Sequence, residues 1–132
     1  MNKKGFTFIE LLGAIVIMII MAVIVTVNFS KMQTKRENKR LEEFKNRVQD
    51  SACVYIDLSS NEHLKNNNTV CPKTSEGTID YCTIKFIDLV NDGLVSENLV
   101  NPKTGNKAIT ENITVKITWS GNSVKKCTIQ GV

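Results

Sequence analysis

Side chains from Leu11 to Val25 are apolar without interruption, whereas Ser30 to Arg47 is dominated by Lys, Arg, Glu, Asn and Gln. So sharp a change divides the chain into a greasy stem and a water-soluble head. The apolar run reaches from Phe6 to Phe29, and a helix needs about 20 mostly apolar residues to cross a bilayer. A secretory signal has a shorter apolar core of about 7–15 residues followed by a small-x-small cleavage site. Thr26 to Lys31 offers no such site. The pattern predicts a retained membrane helix.

Beyond the run, Met32, Leu41, Phe44, Val48, Ala52 and Tyr55 recur mostly at three- and four-residue steps, the mark of an amphipathic helix. No Pro or Gly interrupts Gln33 to Ser60, so one helix is predicted to run from the membrane into the head. The periodicity lasts too few heptads for a coiled coil. Asn61 to Gly77 reads as a loop, with turn formers at Asn66 to Asn68, at Pro72 and at Ser75 to Gly77. Thr83 to Gly93 reads as a short helix, capped by Thr83, ended by Gly93, with Ile84, Ile87 and Leu89 or Val90 turned inward. Asn101 to Gly105 marks a turn. Ile113, Val115, Ile117 and Trp119 alternate with Thr114, Lys116 and Thr118 as in a half-buried strand. A turn at Ser120 to Asn122 returns the chain as a second strand, Val124 to Ile129, with Cys127 and Ile129 on one face. The expected class is α+β: a long N-terminal helix packed on a small antiparallel sheet.

The length of 132 residues suits one small domain plus an attached segment. The net charge of +4 is mildly basic, without the dense basic and aromatic stripe of a strong nucleic-acid binder. Lys31, Lys35, Arg36, Lys39 and Arg40 cluster just after the stem, where basic residues meet lipid headgroups or form a solvated helix face. Cys53, Cys71, Cys82 and Cys127 are widely spaced with no Cys-x-x-Cys pair, which speaks for disulfides over a metal site. Disulfides suit a small head outside the cytoplasm. Three connectivities are possible, and the spacing does not choose among them.

Glu10 is the anomaly in the stem. A carboxylate near the centre of a membrane helix costs roughly 2.5–3.5 kcal/mol on insertion scales, less toward an end, and usually has a partner. Lys3 and Lys4 lie on the water side, so a second copy of the chain is the alternative source of one. The string Lys4-Gly5-Phe6-Thr7-Phe8-Ile9-Glu10-Leu11-Leu12 resembles the signature of type IV prepilins and the related pseudopilins. That resemblance, carried by about the first quarter of the chain, implies a pilin fold. It also implies a short basic leader removed by a prepilin peptidase at Gly5|Phe6, methylation of the new Phe6 amine, and Glu10 as the assembly carboxylate. The implied organisation is a leader at 1–5, a transmembrane and assembly helix at 6–29, its amphipathic continuation at 30–60, and a globular head at 61–132. Leu89 to Val95 followed by Asn101 to Gly105 resembles a stretch of pilin-like proteins from Gram-positive bacteria. Many family members carry a Pro in the second half of the apolar segment, and Met21 to Val27 has none. Gly13 is either a weak point in the helix or a close-packing position.

Positive charge after the span would by itself hold the head in the cytoplasm; the cysteines and the resemblance place it outside, and that is the expected orientation. Partners implied are further copies of the chain and related pilins, the prepilin peptidase, the assembly platform with its ATPase acting indirectly, and the bilayer before assembly. Neither enzymatic activity, a cofactor nor a metal is implied. His63 with Asp57, Ser59 and Ser60 in one short segment is a poor triad, Asn67-Asn-Thr and Asn112-Ile-Thr fit the glycosylation pattern by chance, and Trp119 is a core residue. The leading reading is a subunit of a surface filament for adhesion, motility or DNA uptake, with a pseudopilin or tip-located minor pilin as the alternative. Two readings differ in class: a subunit that binds DNA through Lys103, Lys107, Lys116, Lys125 and Lys126, and a solitary anchored surface protein.

Overall fold

The computed structural model describes residues 5–120 and 124–132. The chain divides into a stem, Met1–Asn38, and a head, Lys39–Val132. Helix α1, Phe8–Tyr55, supplies most of the stem and the first element of the head. A 3-10 helix at Ser59–Asn66 follows, then strand β1 (Tyr81–Lys85), helix α2 (Phe86–Asn91), a 3-10 turn at Ala108–Thr110, and strands β2 (Thr114–Ser120) and β3 (Val124–Gln130). The sheet is antiparallel in the order β1-β2-β3. The layout is that of the pilin fold.

In the stem, every large apolar side chain from Phe8 to Val25 that the structure describes is exposed. An 18-residue window of α1 has a mean hydropathy of 3.0. The apolar run is therefore a helix that can span a membrane. At its end the Thr26 hydroxyl donates to the Val23 carbonyl at 2.8 Å and Ser30 donates to the Thr26 carbonyl at 3.1 Å. Both hydroxyls are satisfied within the helix and leave no bare donor among the apolar side chains.

The head is built on the predicted stripe: Phe44, Val48, Ala52 and Tyr55 of α1 are buried, as is Ile56 just beyond it. They share one core with Cys82 and Ile84 of β1, Val115 and Ile117 of β2, and Phe86 and Leu89 of α2. Alternation along β2 thus turns its apolar residues to the core and Thr114, Lys116 and Thr118 away from it. Register is fixed by pairs such as Ile84↔Val115, Cys82↔Ile117 and Ile117↔Cys127.

Four expectations change. The helix ends at Tyr55, not Ser60, because the chain tightens there: Asp57 N donates to Val54 O and Leu58 N to Tyr55 O. Buried Asn61 adds a second donor to the Tyr55 carbonyl, its amide lying 3.2 Å away. Residues expected in the loop from Asn61 instead continue a 3-10 helix to Asn66. Thr83 does not cap a helix; it lies within β1, and α2 starts only at Phe86, with the Asp88 carboxylate accepting from Lys85 N at 3.3 Å. The short apolar run fits either period, and burial of Cys82 and Ile84 on alternate positions decides for strand. Phe86 is buried in place of Ile87, which is 40% exposed. The expected turn at Ser120 to Asn122 falls largely outside the described residues.

Gly93 does end α2. It sits at φ 72° with Leu94 N bonded to Leu89 O and Gly93 N to Val90 O, the Schellman pair that satisfies the last carbonyls. Gly131 matters for a second reason. At φ 84°, a Cβ placed there would stand 2.5 Å from the Asn112 carbonyl oxygen. Gly131→Ala is expected to destabilise the head by about 2 kcal/mol through strain and clash together; an unchanged denaturation midpoint would refute it.

The Asn101–Gly105 turn is held from inside. Asn101 is fully buried, donates its amide to the Glu111 carboxylate at 2.7 Å and accepts Lys103 N on Oδ1 at 3.0 Å. The Thr104 hydroxyl also donates to Glu111. The Thr104 and Asn101 donors hold the Glu111 carboxyl below its ordinary pKa. A depressed folded pKa contributes stability that is present above the ordinary value of 4.5 and lost as pH falls below it. Glu111→Gln should flatten the acid limb of the stability curve below pH 4.5 while changing neutral stability in the unfavourable direction. Parallel acid limbs for the two proteins would remove Glu111 as the source.

Candidate functional site

The start of α1 holds the candidate residues Gly5, Phe6 and Glu10. Thr7 is the residue before the first helical turn and Glu10 lies three positions on, the spacing of a reciprocal cap. The Glu10 backbone N donates to Thr7 Oγ1 at 3.4 Å; Thr7 N and Thr7 Oγ1 both donate to Glu10 Oε2, at 3.1 and 3.0 Å. The carboxylate also stands at the positive end of the helix dipole, where a negative charge is favoured by roughly 0.3–1 kcal/mol. Glu10 therefore has partners within its own chain, whereas the residue pattern points only to a partner from elsewhere. Thr7 does not stand out in that pattern; the Thr-x-x-Glu spacing ahead of an apolar run is the signal that marks it.

Both donors go to one oxygen. Among the described residues, Glu10 Oε1 accepts no hydrogen bond. Gly5, Phe6, Thr7 and Glu10 line one shallow, open hollow. Phe6 is 84% exposed, and nothing lies within 4 Å of where a Gly5 side chain would point. The Gly5–Phe6 bond is thus free of steric cover from the described chain. Lys3 and Lys4 lie outside the described residues.

The four cysteines resolve into two pairs in the head. Cys53 of α1 joins Cys127 of β3 across 74 residues with Cα atoms 6.1 Å apart, and Cys71 joins Cys82 of β1 with Cα atoms 4.1 Å apart. The second pair ties the segment after the 3-10 helix to the sheet, and both its members are fully buried. His63 is exposed, with Nδ1 3.0 Å from the Ser60 carbonyl, while Asp57 is taken by Lys65 and Lys125. These residues do not converge on a catalytic centre.

An apolar helix long enough to cross a membrane, with a capped carboxylate near its start and a disulfide-bonded α+β head after it, fits membrane anchoring. The prokaryotic N-terminal methylation motif matches residues 1–26, a stretch that includes Gly5, Phe6, Thr7 and Glu10. Over that stretch the chain is similar to prepilins of the type IV pilin and pseudopilin kind. No curated protein and no solved structure matches the chain.

Proposed function

We propose that this chain is a filament subunit. A prepilin peptidase cuts it at Gly5|Phe6, the Phe6 amine is methylated, and α1 packs against copies of itself or related pilins in a surface filament. Before assembly the stem lies in the membrane with the head outside, and the basic band from Lys31 to Arg40 meets lipid headgroups. The observation that carries this reading is the Gly5–Phe6 junction followed by Glu10 in an otherwise apolar, uncovered helix.

The chemistry is a pairing of two ill-placed charges. Cleavage creates an ammonium on Phe6 at the head of a greasy helix, and each such charge alone is poorly solvated in apolar surroundings. With Thr7 holding Oε2, the Oε1 atom of Glu10 is left to accept the Phe6 amine of an adjoining subunit. A charge-assisted bond offsets much of the desolvation of both groups and fixes the stagger of the helices, because any other stagger strands both.

Mass spectrometry of the membrane-extracted protein tests the reading. A mature chain beginning at methyl-Phe6 is the expected result. An intact Met1 in cells that carry an active prepilin peptidase would leave an ordinary membrane anchor.

A further inference from the structure

Just ahead of α1 the backbone is not helical. Gly5, Phe6 and Thr7 stand outside the helix, which begins at Phe8. Thr7 sets that boundary. Its carbonyl accepts the first helical bond, from Leu11 N at 3.2 Å, while its hydroxyl accepts from Glu10 N at 3.4 Å. A threonine hydroxyl in this place takes a donor that a carbonyl one turn back would otherwise have to meet. For Glu10 N that carbonyl belongs to Phe6, and the Gly5 carbonyl stands in the same relation to Ile9 N. The choice of acceptor therefore decides whether the Gly5–Phe6 peptide joins the helix. In lipid the pull toward joining is strong, because an orphan N–H finds no water and must close onto its own chain. Gly5 is a poor helix former and opposes that extension only in part.

We propose that Thr7 is a positioning residue for the peptidase: its hydroxyl stops α1 just short of the scissile bond and presents Gly5–Phe6 in an extended form. The inference rests on the cleavage reading above. What points to a processing enzyme is the methylation motif matched over residues 1–26, not the cap itself. Hydrolysis adds one water across the amide. The C–N bond breaks, the Gly5 carbonyl carbon becomes a carboxylate and the Phe6 nitrogen leaves as the ammonium. Attack needs that carbonyl free, on a strand-like backbone that a peptidase can grip through main-chain hydrogen bonds. A carbonyl inside a helix is already spent on the N–H one turn on. The site as it stands meets the need: Phe6 is 84% exposed, and the space beside Gly5 is open to 4 Å. The part differs from that of Glu10, because without the Glu10 carboxylate the N–H of residue 10 still reaches the Thr7 hydroxyl.

The test uses the full chain co-reconstituted in liposomes with an active prepilin peptidase, the surface density of the chain being varied to separate KM from kcat. The variants set cap against shape. Thr7→Ser and Thr7→Asn keep a capping acceptor, whereas Thr7→Val keeps the shape of threonine and loses the acceptor. Thr7→Ser and Thr7→Asn should restore the cutting that Thr7→Val impairs. Thr7→Val should raise KM about five-fold, the worth of a typical cap, with kcat unchanged, because only the extended fraction binds. The NMR shift of the Gly5 carbonyl carbon should move toward helical values in Thr7→Val alone. The proposal is overturned if Thr7→Val is cut as readily as the unaltered chain. It is also overturned if Thr7→Asn is slow while Thr7→Val is not, or if Thr7→Val is slow with its Gly5 carbonyl still extended; either result would make Thr7 a direct peptidase contact. An unaltered chain that is not cut at Gly5|Phe6 would remove the cleavage reading itself, and this inference with it.

Discussion

Glu10→Ala is expected to leave the chain in the membrane, cleaved and with a folded head, and to reduce filaments to below detection. The residue lies in the stem, whereas the core that folds the head begins at Phe44, so head stability is not at stake. What is lost is the acceptor for a neighbour's Phe6 amine. Losing the reciprocal cap with Thr7 also loosens the first turn by about 1 kcal/mol, too little to unfold a helix whose hydrogen bonds have no competitor in lipid. Removing one partner of a desolvated pair costs far more, about 3–5 kcal/mol, because the other charge is stranded. Repeated at every subunit, that penalty is prohibitive. The checks are shear-fraction immunoblots and electron microscopy for filaments, alongside membrane fractionation for the precursor and mature forms. Normal filaments from the Glu10→Ala strain would refute the pairing. Glu10→Gln separates charge from shape: it keeps an acceptor for Thr7 but not the negative charge, and it should also fail to assemble.

The second large effect is in the head. Removing the Cys53–Cys127 bond as the double alanine variant should cost about 4 kcal/mol, since chain-entropy loss grows with loop length and this bond closes 74 residues. Removing Cys71–Cys82 relieves a separation of only 11 residues and should cost about 3 kcal/mol by the same relation. Burial adds a packing loss for the second pair that the half-buried first pair largely escapes. Urea denaturation of the oxidised protein and the two double variants distinguishes the contributions. A larger loss for Cys53–Cys127 means that loop closure outweighs packing. The reverse order would mean that packing around Cys71 and Cys82 outweighs loop closure. Against a typical domain stability of about 5–15 kcal/mol, either loss is a large fraction.

Periodicity made most of the fold legible. The stripe from Phe44 to Tyr55 and the alternation from Ile113 to Trp119 each follow from a single local period, so they could be read without knowing what packs against them. β1 could not. In Tyr81 to Leu89 the apolar residues fit both a strand and a helix, and the choice is made by β2, whose Val115 and Ile117 take Ile84 and Cys82 as partners. The end of α1 was hidden for a related reason: the group that closes it, Asn61, is an ordinary polar residue until its amide reaches the Tyr55 carbonyl and the Asp92 carboxylate. Cysteine pairing is non-local by nature.

The functional end was legible to a different degree. Glu10 stood out because a carboxylate is out of keeping with a plain membrane helix, whereas Gly5 and Phe6 were marked only by the family resemblance of the string around them. Thr7 did not, since a lone threonine beside an apolar run carries no such conflict; its part emerges only when its hydroxyl and backbone N are seen to meet one carboxylate oxygen.

The bond between Cys53 and Cys127 has a mechanical consequence. In the proposed filament load would pass along the helices, and a subunit pulled through α1 could yield by peeling its last strand from the sheet. Here β3 is fastened covalently to α1 near the place where the load enters the head. The stretch between the two cysteines, a sequence separation of 74 and a contour of about 250 Å at roughly 3.4 Å per residue, cannot be drawn out while the bond is intact. Only the head residues outside that loop, those of α1 before Cys53 and the few after Cys127, can be pulled free, so the rest behaves under tension as a knot of fixed length.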